Sequence, residues 1–180
     1  MDYIFIAITI LWLLEFIIFP SPKIEKNEKK KSFSLILFSI ILVIFLNVIF
    51  INLDLLILKH KLIKPFALLL YFLGLALRYS SSFLLKDNFS RNVVVSKKQK
   101  LVSKGPYKYI RHPLYLGLIL LTTSVPLYFG NILVFIFSIL LMSFAINIRI
   151  VEEEKEMEKV LKERYLNYKS KRKKFIPFIY

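Results

Sequence analysis

The apolar residues of this chain are gathered into runs that are long enough to cross a lipid bilayer. Five runs, at about residues 3–19, 33–56, 65–85, 113–129 and 132–148, consist mostly of Leu, Ile, Phe and Val. A helix needs about 20 apolar residues to cross the hydrocarbon core, where it satisfies its own backbone hydrogen bonds. The sequence therefore predicts an all-α integral membrane protein with about five transmembrane helices.

Basic residues lie between these runs and indicate how the helices are oriented. The formal net charge is +15, and lysines and arginines concentrate in residues 20–32, residues 86–111 and the C-terminal tail. Cytoplasmic loops carry an excess of Lys and Arg. Five crossings place all three segments on one side, which we expect to be cytoplasmic, although residues 59–64 carry three lysines on the other side. The charge thus indicates contact with anionic membrane lipids rather than nucleic acid.

Cysteine and histidine usage limits the chemistry that is available. The chain has no cysteine, so disulfides, thiolate catalysis and Cys-based metal sites are excluded. Its two histidines, His60 and His112, are far apart in sequence, and we therefore expect no metal site. The N-terminal run begins after Asp2 and lacks a small-residue cleavage pattern, which favours a retained membrane helix over a signal peptide.

The acidic and basic tail after the fifth run has helical periodicity. Residues 152–170 predict a single amphipathic cytoplasmic helix, because apolar residues recur at spacings of three and four. These are Met157, Val160, Leu161, Tyr165 and Tyr168. Such a helix could lie on the membrane surface or cover a pocket between the transmembrane helices.

The segment GPYKYIRHPLYLG, residues 105–117, is the most polar passage at the mouth of an apolar run. Proline favours the first turn of a helix and an extended conformation before it, so Pro113 predicts a helix start that presents His112. The tyrosines with Arg111 and His112 are typical of an aromatic belt at headgroup depth. The same residues beside unpaired helix N–H groups could instead form a binding site.

Two arginines near the membrane ends of helices are open to more than one interpretation. If the fifth helix continues into the tail, Arg149 and Glu153 share one face. That pair could be a surface salt bridge or part of a site. Arg78 lies in the last third of the third run, where we expect its side chain to reach the interface. The roles of Glu15 and Asp54 are likewise left open by the sequence.

Three motifs together resemble a known family. They are QKLVSKGPYKYIRHPLYLG at residues 99–117, RIVEEEKEM at 149–157 and YLNYKSKRKKFIP at 165–177. Their order and spacing resemble the isoprenylcysteine carboxyl methyltransferase family and the related membrane phospholipid methyltransferases. The resemblance covers residues 89–177 and implies a methyltransferase core at residues 86–180. The apolar runs predict three membrane helices before this core, at residues 1–85.

The resemblance also implies a role for individual residues. Arg149 is similar to the family arginine near the methyl acceptor, and Glu153 to a glutamate that contacts S-adenosylmethionine. The cofactor wall would further include Gln99, Lys100, Leu101, Val102, Tyr107, His112, Pro113, Leu114 and Tyr115. The tail helix would close over the cofactor.

The residues favour one type of acceptor over another. A carboxylate is already nucleophilic at neutral pH and needs a cation to hold it, as Arg149 could do. An amine, as in a phospholipid headgroup, must lose a proton and needs a base such as His112 or a glutamate. We therefore expect methylation of a carboxylate on a lipid or a prenylated or other amphiphilic molecule. Amine methylation, an NADPH-dependent membrane reductase of the steroid-reductase type and a non-enzymatic scaffold remain as alternatives.

Overall fold

The protein is a bundle of α-helices. A computed structural model describes residues 2–19, 31–85, 95 and 101–175, and these ranges contain no β-strand. One turn of 3₁₀ helix, Gly105–Lys108, precedes the fourth helix. The α-helices are α1 (Asp2–Ile18), α2 (Lys31–Asn52), α3 (Ile63–Leu85), α4 (Pro113–Tyr128), α5 (Ile132–Leu161) and α6 (Glu163–Ser170). The expected all-α fold is confirmed.

Five of these helices correspond to the five apolar runs. By length and composition, Ser32–Asn52, Ile63–Leu85 and Ile132–Leu161 are able to cross a membrane. The helices α1 and α4 are shorter, at 17 and 16 residues. Many large apolar side chains of α1, α2 and α5 are exposed, while several charged and polar side chains are buried. Such a distribution suits a protein whose outer surface faces lipid.

Gly-Asn at residues 130–131 is a turn signal in the sequence, and a tight turn connects α4 and α5 at these residues. Gly130 has a φ of +78°, a left-handed conformation that glycine adopts without steric cost. Asn131 then caps α5, because its side-chain oxygen accepts a hydrogen bond from the Val134 N–H at 3.2 Å. The two helices are consequently antiparallel neighbours.

The fifth helix is longer than its apolar run. It continues without a break from the membrane segment through the acidic residues to Leu161. Lys162 then adopts a φ of +47°, which ends α5 and redirects the chain into α6. The expectation of one tail helix over residues 152–170 is therefore wrong, because this backbone change divides it. The break turns α6 so that Tyr165 is buried.

Helices α3 and α4 approach each other at two glycines. A methyl group on Gly117 would lie 2.8 Å from the Gly74 carbonyl oxygen and 2.8 Å from Cγ of Arg78. On Gly74 it would lie 2.9 Å from the Gly117 carbonyl oxygen. At these distances only glycine lets the two helices come so close, and the Arg78 stem lies against α4.

Replacing Gly117 with alanine is expected to destabilise the protein by about 1–3 kcal/mol, as overpacking of a close contact usually does. Alanine would otherwise favour the helix by about 0.5–1 kcal/mol, so a loss must come from the clash. Thermal unfolding in detergent micelles measures the effect. An unfolding temperature equal to or above that of the wild type would show that α3 and α4 can move apart to accommodate the methyl group without loss of stability.

Candidate active site

The segment that enters α4 is held by the chain that follows α6. Ile110 forms a parallel bridge with Lys173. The Arg111 N–H donates to the Lys173 carbonyl oxygen at 2.8 Å, and Arg172 Nε donates to the Tyr107 carbonyl oxygen at 2.9 Å. The motif at residues 105–117 and the last motif thus lie side by side, although they are far apart in sequence.

Glu154 is the centre of a cluster of hydrogen-bond donors. Its carboxylate accepts hydrogen bonds from Arg111 Nε at 3.0 Å and from His112 Nε2 at 2.9 Å. Lys169 Nζ lies 3.0 Å from the other carboxylate oxygen. Glu154 is only 8% exposed, so solvent screens these interactions weakly. The cluster joins α5 to α6 and to the segment that precedes α4.

The role of Arg111, which the sequence leaves open, is visible here. Its Nη1 donates to the carbonyl oxygens of Lys169, at 3.2 Å, and of Arg172. These acceptors belong to the end of α6 and the turn after it. Arg111 therefore fastens α6 to the site and does not extend toward lipid headgroups.

Replacing Glu154 with glutamine should lower the free energy of unfolding by about 2–3 kcal/mol, because a buried acceptor of charged hydrogen bonds loses its charge. Thermal unfolding and limited proteolysis within α6 measure the change. Glu158→Gln is the matched control, since Glu158 pairs with Lys169 at 2.7 Å at a more exposed position. Equal effects of the two substitutions would contradict a central role for Glu154.

A second chain of hydrogen bonds joins Tyr115, Arg149 and Glu153, for which the family resemblance implies roles in the site. Tyr115 Oη donates to Glu153 Oε2 at 2.6 Å and accepts from Arg149 Nε at 3.1 Å. Arg149 Nη1 also donates to Ser32 Oγ of α2 at 3.2 Å. Arg149 is 2% exposed, so its interpretation as part of a surface salt bridge is wrong.

The other expected cofactor residues are buried to different degrees. Tyr107, His112 and Pro113 are buried, and Leu114 is half-buried at the start of α4. Leu101 and Val102 are also half-buried, and Leu101 lines a polar groove beside α6 together with Tyr168 and Arg172. Gln99 and Lys100 lie outside the described residues.

Tyrosine hydroxyls are concentrated near the two glutamates. Burial, followed by the charge of Glu153, raises the pKa of Tyr107. Burial and then the charge of Glu154 raise the pKa of Tyr165, so both hydroxyls stay neutral at physiological pH. The Tyr165 hydroxyl is buried and has no hydrogen-bond partner among the described residues. The sequence indicated Tyr165 only as an apolar-face residue, and its unsatisfied hydroxyl was not foreseeable from periodicity.

An apolar cleft opens beside Arg149. Its volume is about 100 Å³, and it is bordered by α1, α2 and α4, with Arg78 contributed by α3 and Arg149 by α5. Its apolar wall is formed by Trp12, Phe16, Phe33, Ile36, Leu37, Ile40, Leu114 and Leu118. Arg78, Tyr115 and Arg149 supply polar groups to the same cleft. The arrangement suits an amphiphilic molecule that carries an oxygen-rich or anionic end.

Arg78 is paired with a residue of the first helix. Its Nε and Nη2 donate to the two carboxylate oxygens of Glu15 at 2.6 and 2.7 Å. Glu15 is 0% exposed and Arg78 is 6% exposed, so the expectation that Arg78 extends to the interface is wrong. The signal in the sequence was one acidic and one basic residue, each alone in an apolar run.

Known proteins resemble this chain in sequence and in fold. The model of the isoprenylcysteine carboxyl methyltransferase (ICMT) family matches residues 67–159. Protein-S-isoprenylcysteine O-methyltransferase of Schizosaccharomyces pombe is 33% identical over 111 residues, which cover 59% of this chain and 46% of the yeast protein.

A solved structure described as the eukaryotic intramembrane Ras methyltransferase ICMT superposes with a TM-score of 0.68 at 20% identity. This match covers 97% of the present chain and 63% of the other, and at such low identity it shows the fold. The chain spans less than two thirds of the length of both relatives. The family model, which matches residues 67–159, covers more than half of the sequence and includes the hydrogen-bonded residues Tyr115, Arg149 and Glu153. The protein belongs to the isoprenylcysteine carboxyl methyltransferase family.

Proposed function

We propose that the protein transfers a methyl group from S-adenosylmethionine to a carboxylate on a membrane-associated acceptor of the isoprenylcysteine type. The observation that carries this proposal is the buried Arg149 beside an apolar cleft, positioned by Tyr115 and Ser32. Membership of the family and the yeast relative support the same reaction.

Arg149 and the cleft suit an acceptor with a lipid chain and an anionic end. The apolar walls from α1, α2 and α4 offer a low-dielectric path for a prenyl or acyl chain. A guanidinium at the end of this path holds a carboxylate with charge-assisted hydrogen bonds. The carboxylate needs no base, since it is ionised at neutral pH. Alignment in a site that excludes water is then the main requirement of the transfer.

The residues beside the cleft fit the cofactor. S-adenosylmethionine supplies an electrophilic methyl group on a positively charged sulfonium. Glu153 offers a negative charge, and the neutral hydroxyls and ring faces of Tyr107 and Tyr115 suit a cation. The buried, unsatisfied Tyr165 hydroxyl offers a further polar contact. Gln99, Lys100, Leu101, Val102, His112, Pro113 and Leu114 complete the proposed wall.

A carboxylate is favoured over an amine as the acceptor group. An amine would need a base in the cleft, and His112 or a glutamate was the candidate for that role. Neither His112 nor a glutamate is among the described residues that line the cleft, and His112 Nε2 contacts Glu154 instead. We place the site on the cytoplasmic side, since basic residues surround the segment that enters α4.

The test uses purified protein in lipid nanodiscs with methyl-labelled S-adenosylmethionine. N-acetyl-S-farnesylcysteine is supplied as the carboxylate acceptor and phosphatidylethanolamine as the amine acceptor. The expected product is a methyl ester, whose label is released as volatile methanol by base. Label that appears only in phosphatidylethanolamine, or binding of the cofactor without transfer to the cysteine derivative, would overturn the proposal.

A further inference from the structure

The ion pair between Arg78 and Glu15 lies in the wall of the cleft and has no part in the function proposed above. Two guanidinium nitrogens of Arg78 are bound to the Glu15 carboxylate. The Ser82 hydroxyl also donates to this carboxylate, at 3.4 Å. Glu15 is therefore well supplied with donors, and the orientation of the Arg78 guanidinium is fixed.

One nitrogen of Arg78 is less well bound than the other two. Nη1 donates to the Leu114 carbonyl oxygen at 3.4 Å, a long and weak hydrogen bond. Leu114 and Arg78 both line the cleft. Trp12 lines it as well, and its buried indole N–H has no acceptor among the described residues. Arg78 Nη1 therefore lacks a strong hydrogen-bond acceptor, which a molecule in the cleft could supply.

The charge of this part of the cleft wall indicates which kind of ligand oxygen Arg78 would bind. Glu15 neutralises Arg78, so the pair as a whole has no net charge. A second carboxylate at this position would lie near the Glu15 carboxylate in a poorly screened environment and would be repelled. A neutral carbonyl oxygen gains a hydrogen bond from a guanidinium and meets no such repulsion.

We propose that Arg78 is a specificity-determining residue whose Nη1 binds a carbonyl oxygen of the acceptor, while Arg149 binds its carboxylate. The inference rests on the proposed function and refines it. The preferred acceptor is then an amphiphile that carries an amide or a similar carbonyl group close to the methylated carboxylate. Glu15 acts as a positioning residue, because it orients the Arg78 guanidinium.

Two acceptors that differ in one group test this inference. N-acetyl-S-farnesylcysteine has an acetamide beside its carboxylate, and S-farnesylthiopropionic acid has the same lipid and carboxylate without the amide. The wild type should favour the amide-bearing acceptor in kcat/KM by about tenfold or more, the usual weight of a charge-assisted hydrogen bond. The difference should lie mainly in KM, because the amide is not the reacting group.

Arg78→Gln combined with Glu15→Gln removes both charges and keeps polar side chains of similar size. This variant should lose most of the preference for the amide-bearing acceptor. Arg78→Lys keeps the charge but removes the fork of donors, and should also reduce the preference. Tyr79→Phe is the matched control, since Tyr79 Oη donates to the Leu11 carbonyl oxygen between α1 and α3, outside the cleft lining.

The outcomes separate the two proposals. A wild type that methylates both acceptors equally overturns the role of Arg78, whether or not the variants fold. An unchanged preference in the double variant or in Arg78→Lys overturns it as well. Methylation of neither acceptor overturns the proposed function, and the inference with it. A preference that falls in both Arg78 variants and persists in Tyr79→Phe supports the inference, because loosened packing between α1 and α3 would not act on the amide alone.

Discussion

Arg149→Gln is expected to lower kcat/KM for a carboxylate acceptor by about 100- to 1,000-fold, one of the two largest effects that we anticipate. A buried, preorganised donor to a reacting oxygen contributes about 3–4 kcal/mol, and glutamine cannot replace its charge. Steady-state kinetics with N-acetyl-S-farnesylcysteine measure the loss. Calorimetric binding of S-adenosylmethionine should change little, since the proposed cofactor contacts belong to Glu153 and the tyrosines.

Two further variants control this experiment. Arg149→Lys keeps a positive charge without the bidentate fork and should retain part of the activity. Arg164→Gln removes one arginine charge at an exposed position of α6, and its activity should remain near that of the wild type. Full activity of Arg149→Gln, with unchanged thermal unfolding, would exclude Arg149 from acceptor binding.

Features that depend on local sequence were predicted well. The five apolar runs correspond to five helices, Pro113 begins α4, and residues 130–131 form the turn before α5. Each of these depends on neighbouring residues, such as the fixed φ of proline or the tolerance of glycine for a left-handed backbone. The end of α5 was missed because a lysine gives no local signal for the positive φ that Lys162 adopts.

Features that depend on contacts between distant segments could not be predicted from one sequence. The Glu15–Arg78 pair joins residues 63 positions apart, and the Glu154–Arg111 pair joins residues 43 positions apart. The resemblance indicated that Arg149 and Glu153 belong to one site. It did not indicate that Tyr115 connects them or that Glu154 fastens α6, since both depend on how α4, α5 and α6 meet.

The second large effect concerns stability. Arg78→Met should destabilise the protein by about 3–5 kcal/mol, because it leaves the fully buried Glu15 carboxylate without its partner. Removing both charges, in Glu15→Leu with Arg78→Met, should restore stability to within about 1–2 kcal/mol of the wild type, as replacement of a buried ion pair by apolar residues commonly does. Thermal unfolding in one detergent compares the three proteins.

The comparison of single and double variants decides what the ion pair does. If the charges act only through each other, the coupling between the two sites should be large, because the double variant removes the unpaired charge that penalises the single one. Glu15→Leu alone should also be strongly destabilised, since it leaves the Arg78 guanidinium unpaired. A double variant as unstable as the sum of the singles would contradict this and would mean that the charges stabilise the bundle through other groups. A stable double variant that no longer prefers amide-bearing acceptors would instead show that the ion pair is retained for recognition, in a bundle that does not require it to fold.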